Sequence, residues 1–467
     1  MPNHISLGAI PGRTGQSRQK RRWLTLLTLS IAVLVAQVDT SVVNLAVRPI
    51  GDYFQAGVGA LQWVVDSYNL IYAVLLLTGG LLADVYGRRR VFMAGAAVFT
   101  AASLLCAFAP SVPILIGGRA LAGVGASLMV PASLAIIRVV WPNEKERGKA
   151  LGIWAACNGL AFVIGPTLGG LLIDRFGWRS IFLVVVPLGL AALVLALPSI
   201  PQSSDPQDRQ FDAPAQVLGA LALGGLAVAA IESHGATVIA AAAFAVAALA
   251  AALFIKVEAK RGAGALVPPD MFRAREFRGA VAATAGMTFG MYGVLFLLPL
   301  TWQSDGHLDP VSAGIALMPM ALVFVIVSPF SGFLTAKLGA RVITGGGVAV
   351  IGCGLLVIGI TAHLASILVA EIGLALTGFG MGLATGPLMG AAVGAVAAAR
   401  SGTAAALINV ARMAGATIGV AVLGAVFAMA DGGPQGLRRA MLLGGLVQLA
   451  SAAVAWTAAR RNPARKP

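Results

Sequence analysis

Fourteen long apolar segments constrain the fold of this chain more than any other feature. Crossing the hydrocarbon core of a bilayer takes about 20 apolar residues of α-helix, and each segment is close to that length or longer. Soluble domains carry about 25% charged residues, whereas this chain of 467 residues carries 11%. The sequence therefore predicts an all-α integral membrane protein. The predicted spans are residues 23–47, 60–83, 91–109, 112–138, 150–172, 181–199, 214–232, 236–256, 277–300, 311–335, 341–361, 364–389, 402–427 and 437–459.

Two polar stretches divide these spans into groups. Residues 201–214 and residues 256–278 are rich in charge and proline, as is typical of solvated linkers, and they isolate two spans between two blocks of six. The predicted regions are an N-terminal tail (1–22), a six-helix bundle (23–200), linkers with two extra spans (201–276), a second six-helix bundle (277–460) and a C-terminal tail (461–467).

The positive charge indicates an orientation. The chain has 33 Lys and Arg against 18 Asp and Glu. A nucleic-acid site would need these charges on one folded surface, but they are scattered between apolar segments, so we expect no nucleic acid partner. Most of them lie on the side of the N-terminus, and the positive-inside rule makes that side cytoplasmic. Because fourteen is even, we predict a multi-pass protein of the cytoplasmic (inner) membrane with both termini in the cytoplasm.

The two blocks of six contain a short repeat. Gly80–Arg89 aligns at an offset of 252 residues with Gly332–Arg341, and both copies lie at the end of the second span of their block. Many transporters are built from related halves. The repeat therefore favours a transporter.

We expect no cofactor and no metal. The three cysteines lie in apolar segments without ligand spacing and are expected to be small buried packing residues. The chain has no G-x-x-x-x-G-K-[ST] loop for ATP, which favours transport driven by an ion gradient. A membrane-embedded enzyme would need a cluster of polar catalytic residues at one membrane face, and none is visible. A channel is a further alternative, less suited to two related bundles.

Several segments resemble signatures of one transporter family. Gly80–Arg90 is similar to the G-x-L-a-D-r-x-G-r-k loop between helices 2 and 3, and Leu115–Gly125 resembles the R-x-x-x-G-x-G signature of helix 4. The other matching segments are Asp39–Ala46 in helix 1, Gly152–Gly170 in helix 5, Phe211–Pro214 before helix 7 and Leu407–Gly415 in helix 13. Together they resemble the major facilitator superfamily, specifically its fourteen-helix drug/proton antiporters.

The resemblance implies a fold and a function. The fold is the major facilitator fold, with two six-helix bundles and two extra transmembrane helices between them. The function is proton-coupled export of small amphipathic or drug-like molecules by alternating access, by a transporter that works as a monomer and is not an enzyme. Its partners are protons, a small-molecule substrate and the bilayer. A dedicated exporter of one metabolite or antibiotic is the main alternative, and an importer is a weaker one.

Three charged residues inside the first block are candidates for proton coupling. Ionisable groups inside a span are costly unless they are paired or reach water, so they indicate function. Counting about 1.5 Å per residue places Asp39, Asp66 and Arg119 at one depth. We expect Asp39, paired with Arg119, to carry the proton, and Asp66 to be a second acceptor or a contact for cationic substrates. A static ion pair that holds the helices together is the alternative.

The resemblance assigns two further groups of residues. The first is a conformational latch, in which Asp84 meets the start of helix 13, where Ser401 and Thr403 are possible caps; a charged surface loop is the alternative. Because Ala336 replaces the aspartate in the second copy, we expect a latch in one half only. The second is the antiporter signature of helix 5, which helix packing alone could also explain. The residues are Gly80, Asp84, Gly87 and Arg88 for the latch, and Gly165, Pro166, Gly169 and Gly170 for the signature.

Substrate contacts are expected among polar, aromatic and methionine residues of the spans. Met and aromatic linings suit promiscuous apolar pockets, although ordinary packing is the alternative for each residue. Arg412 could also serve only to satisfy carbonyls. The candidates are Gln37, Trp63, Tyr68, Asn158, Met287, Met291, Tyr292, Glu371 and Arg412.

Overall fold

The fold is described from a computed structural model. It describes residues 12–204, 212–234, 237–262, 265, 267, 269–304, 308–364, 366–396 and 401–459. Within these ranges, the side chains of residues 12–18, 144, 145, 148, 152, 155, 156, 158, 159, 162, 401 and 402 are not described. Over the described residues the chain is helical and contains no strand, which confirms the predicted all-α class.

Fourteen helices account for the described chain apart from short connections and single turns. The first six are α1 (Gly12–Phe54), α2 (Val58–Tyr86), α3 (Arg88–Ala107), α4 (Val112–Val140), α5 (Glu144–Phe176) and α6 (Ser180–Ser199). The next two are α7 (Ala213–Ile231) and α8 (Thr237–Arg261). The last six are α9 (Arg275–Ser304), α10 (Pro310–Leu338), α11 (Ala340–Thr361), α12 (Ile367–Gly394), α13 (Ser401–Ala428) and α14 (Gly433–Ala458).

Length and composition make these helices membrane spans. Among the described residues, 13 helices are long and apolar enough to cross a bilayer. The remaining helix is α5, which has 33 residues and several side chains outside the described set. We call the side of the bilayer on which α1 begins the tail face and the opposite side the far face.

The ends of several helices differ from the sequence prediction. The first span was placed at 23–47, but α1 includes the basic residues Arg18–Arg22 and continues through Pro49, so the predicted tail 1–22 is partly helical. Hydropathy marks where a helix enters the bilayer and not where it ends in water, which explains the error. At the other end of the chain, α14 begins at Gly433, four residues before the predicted span, and its first turns include the exposed Arg438 and Arg439. The tenth span is interrupted near Leu317 and by a 3₁₀ turn, Ser328–Phe330.

The same helix pairs pack together in both halves. In the first half they are α1 with α5, α1 with α6, α2 with α4, α3 with α4, and α3 with α6. In the second half they are α9 with α13, α9 with α14, α10 with α12, α11 with α12, and α11 with α14. Each pair in the second half is the counterpart of one in the first, eight helices later.

The short sequence repeat has a matching backbone. Gly87 ends α2 with φ 101° and ψ 126°, and Gly339 ends α10 with φ 90° and ψ 149°. Residues with a Cβ rarely adopt such angles, so glycine is needed at both turns. The two glycines are 252 residues apart, which is the offset of the sequence repeat.

The two extra helices lie beside the seam between the halves. α7 packs against α2 and α13, one from each half, whereas α8 packs mainly against α7. Gln216 of α7 hydrogen-bonds the Thr78 hydroxyl and the Val74 carbonyl of α2. Asp212 caps the start of α7 and forms an ion pair with Arg261 at the end of α8.

A proline in α1 helps to join the halves at the far face. Pro49 has no N–H, so the carbonyl of Leu45 lacks its helical donor. The Gln303 side chain at the end of α9 donates to that carbonyl at 3.2 Å. One turn further along, Arg48 donates to the Ser304 hydroxyl at 3.3 Å.

Two more contacts close the far face, and they are related by the repeat of the halves. α2 meets α13 where the Gln62 amide donates to the carbonyls of Val420 and Ala421, each at 3.0 Å. α10 meets α5 so closely that a Cβ added at Gly314 would lie 2.2 Å from the carbonyl oxygen of Pro166. The halves are therefore in direct contact on this side.

The cysteines show how far an apolar sequence can mislead about burial. Cys106 is buried and Cys157 is half-buried, but Cys353 is exposed on the outer surface of α11. The prediction that all three are buried is wrong for Cys353, because lipid-facing and protein-facing positions are equally apolar. Among the described residues, no group of three or more His, Cys, Asp or Glu could hold a metal ion.

Candidate functional site

A buried ion pair lies inside the first half. The Arg119 guanidinium of α4 donates to the Asp39 carboxylate of α1 at 2.6 Å, and both side chains are at most 2% exposed. Arg119 Nε also donates to the Val64 carbonyl of α2 at 3.1 Å. The pairing expected from the sequence is thus present, and it links three helices.

Aromatic rings cover the guanidinium. The Tyr68 ring centroid lies 4.7 Å from Arg119 Cζ, and the Phe182 centroid lies 5.9 Å away. The Tyr68 hydroxyl donates to the Ala36 carbonyl of α1 at 3.4 Å. Tyr68 therefore belongs to the wall of the ion pair, and its role as a substrate contact stays a prediction.

Asp66 does not share Arg119. α-Helical residues are about 100° apart around the axis, so Asp66 lies about 200° from Val64, which meets Arg119. It lies one turn after Gln62 and on the same face, which contacts α13. The sequence correctly placed Asp66 at the depth of Arg119. The expectation of two carboxylates around one arginine is wrong, because Asp66 lies on a different face of α2 from the residues that contact Arg119.

A polar stripe on α2 faces the second half. Gln62, Asp66 and Asn69 are each 0% exposed. Both Asp66 oxygens and both polar atoms of Asn69 have no hydrogen-bond partner among the described residues. Extending the antiparallel register from Gln62 and Ala421 places Asp66 level with Thr417, whose hydroxyl also lacks a partner there. The stripe was not predicted as a unit, although its i, i+4, i+7 spacing within one apolar span is a readable signal.

A second arginine lies at the middle of the seam. Extending the antiparallel register of Gln62 and Ala421 places Tyr72 of α2 level with Arg412 of α13. Tyr292 lies on α9, one turn after Thr288. The Thr288 hydroxyl donates to the Arg412 carbonyl at 2.8 Å. Tyr292 and Arg412 were among the predicted substrate contacts, and the structure brings them together, whereas Tyr72 was not anticipated.

Arg412 forms no ion pair within the described ranges of the chain. Its Nε is buried without a hydrogen-bond partner among the described residues, and no carboxylate in that part of the chain lies within ion-pair distance. The alternative that Arg412 serves to satisfy carbonyls is therefore not supported at Nε. Unpaired charge in a membrane interior is costly and typical of functional sites.

The remaining predicted substrate contacts lie in different places. Trp63 lines a crevice of about 340 Å³ at the far face, with the end of α7 on its other side. Met287 and Met291 are buried in α9, Gln37 is half-buried in α1, and Glu371 lies four residues after the start of α12. The side chain of Asn158 lies outside the described residues.

The predicted latch residues surround the turn after α2. The Asp84 carboxylate accepts from Arg88 Nε and Nη2 at 3.1 and 2.9 Å. The N–H of Arg88 donates to the Ser203 carbonyl, in the segment that follows α6, and a Cβ at Gly80 would lie 3.7 Å from Pro131 of α4. The side chain of Ser401 lies outside the described residues, and the contact of Asp84 with α13 stays a prediction.

The helix 5 signature lies at close helix contacts. A Cβ at Gly165 or Gly169 would collide with Ser41 or Val42 of α1, and one at Gly170 would collide with the start of α10. Because small residues let helices approach closely in membranes, both packing within the first half and contact with the second depend on this segment.

Comparison with known sequences decides the family. The profile described as Major Facilitator Superfamily matches residues 29–219 and again residues 215–420. The chain belongs to the major facilitator superfamily. As a member it is a multi-pass membrane transporter and not an enzyme, as predicted from the sequence.

Relatives of this superfamily member include proteins named for resistance to drugs. The chain is 37% identical over 408 residues to the multidrug resistance protein Stp of Mycobacterium tuberculosis, covering 87% of this chain and 76% of the relative. It is 30% identical over 453 residues to the methylenomycin A resistance protein of Streptomyces coelicolor, covering 95% of this chain and 93% of the relative.

A solved structure confirms the superfamily fold. A bacterial homologue of the human lysosomal transporter Spinster, in an inward-facing and unoccupied conformation, is similar with a TM-score of 0.68 and 18% identity. The similarity covers 97% of this chain and 98% of the other.

Proposed function

We propose that this protein is a proton-coupled exporter of small amphipathic or drug-like molecules that works by alternating access. Its similarity to relatives named for multidrug resistance supports export of drugs. The tail face is then cytoplasmic, as the positive-inside rule favours, in the inner membrane of the cell. A monomer suffices, because each helix of one half has its packing partners within the same chain.

The buried Asp39–Arg119 pair carries the proposal of proton coupling. Its two charges are within 2.6 Å and shielded from solvent, so a proton can neutralise Asp39 only when the pair separates or water enters. Alternating access supplies such an event, since the seam opens alternately to the two faces. Asp66, on the seam itself, is the second candidate acceptor.

The latch couples the tail face to this cycle. Asp84 is held by Arg88 next to the turn at Gly87, where its carboxylate can attract the positive N-terminus of a helix in the other half. We propose the start of α13 as its partner in the state closed at the tail face. Gly165, Pro166, Gly169 and Gly170 support the corresponding closure at the far face.

Substitution of Asp39 tests the coupling. The full chain is reconstituted in vesicles with an imposed pH gradient, and the initial rate of ethidium export is measured. We expect Asp39→Asn to lower gradient-driven export at least tenfold, because the site cannot exchange a proton. Asp174→Asn, a matched loss of an exposed carboxylate near the far end of α5, is expected to stay within twofold of the native rate.

A double variant separates coupling from a static ion pair. Asp39→Asn alone leaves Arg119 without its counter-charge, and breaking a buried pair in this way costs about 3–5 kcal/mol of stability. Asp39→Asn with Arg119→Gln removes both charges and should recover stability in thermal unfolding. If the pair were only structural, gradient-driven export would recover with it; we expect no recovery, and full recovery would reject the proposal.

Export of one dedicated compound is the second candidate function. It is favoured by the similarity over 95% of the chain to a protein named for resistance to a single antibiotic, methylenomycin A. A panel of dyes and antibiotics in an efflux-deficient bacterial host, with a proton uncoupler as control, separates the two. Resistance to several unrelated compounds supports multidrug export, and resistance to one supports the dedicated exporter.

A further inference from the structure

The middle of the seam between the halves combines one cation with two aromatic rings. Arg412 comes from α13, Tyr72 from α2 and Tyr292 from α9, and each lies near the middle of its helix. Both tyrosines are 4% exposed. Tyr72 is level with Arg412 in the α2–α13 register, and Tyr292 lies one turn after Thr288, whose hydroxyl donates to the Arg412 carbonyl. The cluster thus contains residues of both halves and lies where alternating access would place a transported molecule.

Arg412 forms no ion pair with the described part of the chain. Among the described residues no carboxylate pairs with it, and its Nε has no acceptor. Asp66 is the acid closest along the α2–α13 register, but it lies level with Thr417, about 7.5 Å nearer the far face by helical rise. The guanidinium is planar and carries several donors, which suits a carboxylate or another flat anionic group.

We infer that this cluster binds the anionic group of aromatic, acidic substrates, with Arg412 as the anion contact and Tyr72 and Tyr292 as the aromatic walls. The inference rests on the proposed export function and narrows its substrate class. Aromatic rings pack against flat apolar ligands, and the anion accepts from Arg412 Nε, which has no acceptor among the described residues. An acidic aromatic substrate therefore binds more tightly here than a cation of similar size.

A pair of fluorescent probes tests the charge preference. Carboxyfluorescein is an aromatic anion and ethidium is an aromatic cation, and binding of each to the purified full chain is followed by fluorescence anisotropy. We expect saturable binding of carboxyfluorescein that weakens at least tenfold in Arg412→Gln and less than threefold in Arg412→Lys. Arg439→Gln, which removes an exposed arginine of α14 and gives the same net charge, is expected to bind carboxyfluorescein like the native protein.

Ethidium distinguishes a lost anion site from a damaged protein. In Arg412→Gln we expect ethidium binding to stay within twofold of the native value, with an unchanged unfolding temperature. The inference is overturned if the native protein binds ethidium but not carboxyfluorescein, or if Arg412→Gln weakens both probes alike. It is also overturned if exchanging the charges, Asp66→Arg with Arg412→Asp, restores native carboxyfluorescein binding, since Arg412 would then act as a partner of Asp66.

Transport measurements distinguish failure of the export function from failure of the anion site. Export of ethidium and of carboxyfluorescein by vesicles under a pH gradient is measured separately from binding. If export of both probes is absent while carboxyfluorescein binding depends on Arg412, the proposed function is wrong and the anion site stands. If export is present while the anion does not bind, the function stands and the anion site is wrong.

Discussion

Replacing Gly314 by alanine should force the far face open. A Cβ at this position of α10 would lie 2.2 Å from the Pro166 carbonyl oxygen and 2.9 Å from its carbon. Because ordinary contacts begin near 3.4 Å, α5 and α10 must separate by about 1 Å. Overpacking of this kind costs typically about 1–3 kcal/mol. The gain in helix propensity from Gly to Ala is the same whether the far face is closed or open, so it does not change the free-energy difference between these two states.

The cost falls on the closed far face alone, because this contact joins the two halves there. A penalty of about 2 kcal/mol shifts the ratio of closed to open molecules about 30-fold. The shift is measurable by double electron–electron resonance between spin labels at Phe176→Cys and Met429→Cys, in a background whose three native cysteines are replaced. Both positions are exposed near the far ends of α5 and α13.

A matched control lies on the same helix. Gly332→Ala adds the same methyl group to α10 where no atom lies within 4 Å, so its distance distribution should equal that of the native protein. Gly314→Ala should move most of the population to a longer distance. An unchanged distribution for Gly314→Ala, or an equal change for Gly332→Ala, would refute the steric argument.

Two further substitutions test features of the fold. Gly87→Ala should destabilise the protein by about 1–3 kcal/mol in detergent unfolding, because φ 101° is strained for any residue with a Cβ. Gly117→Ala, its control, adds a methyl group in open space and should leave stability unchanged. Equal stability of the two variants would contradict this account of the turn. Gln62→Leu should lengthen the same spin-label distance, because it removes both hydrogen bonds to α13, each worth about 1 kcal/mol. Gln19→Leu, at an exposed position, is its control. An unchanged distance in Gln62→Leu would show that other contacts hold the far face closed.

The fold was largely predictable because a bilayer imposes one length and one kind of secondary structure. Each predicted span corresponds to a helix, but the ends of α1 were missed, since charged residues such as Arg18–Arg22 can continue a helix into water. Burial was not predictable from hydropathy alone. Cys353 faces outward although its surroundings in sequence are as apolar as those of Cys106.

The site was predictable in part. Counting residues along the spans correctly placed Asp39 and Arg119 at one depth, where they pair. Depth does not determine which face of a helix a residue occupies, so Asp66 was grouped with the wrong partner. Tyr72 was overlooked although Tyr68 and Tyr292 were selected, because its position opposite Arg412, 340 positions along the chain, is visible only in the fold.

The rings of Tyr68 and Tyr72 are neighbours, with centroids 6.0 Å apart. Tyr68 covers the guanidinium of Arg119, and Tyr72 lies beside Arg412. A molecule that displaces Tyr72 therefore disturbs the ring that shields the buried pair. If a bound molecule changes the proton affinity of Asp39 by some factor, then by thermodynamic linkage protonation of Asp39 changes the affinity for that molecule by the same factor. Measuring ligand affinity against pH in native protein and in Tyr72→Ala would give that factor directly.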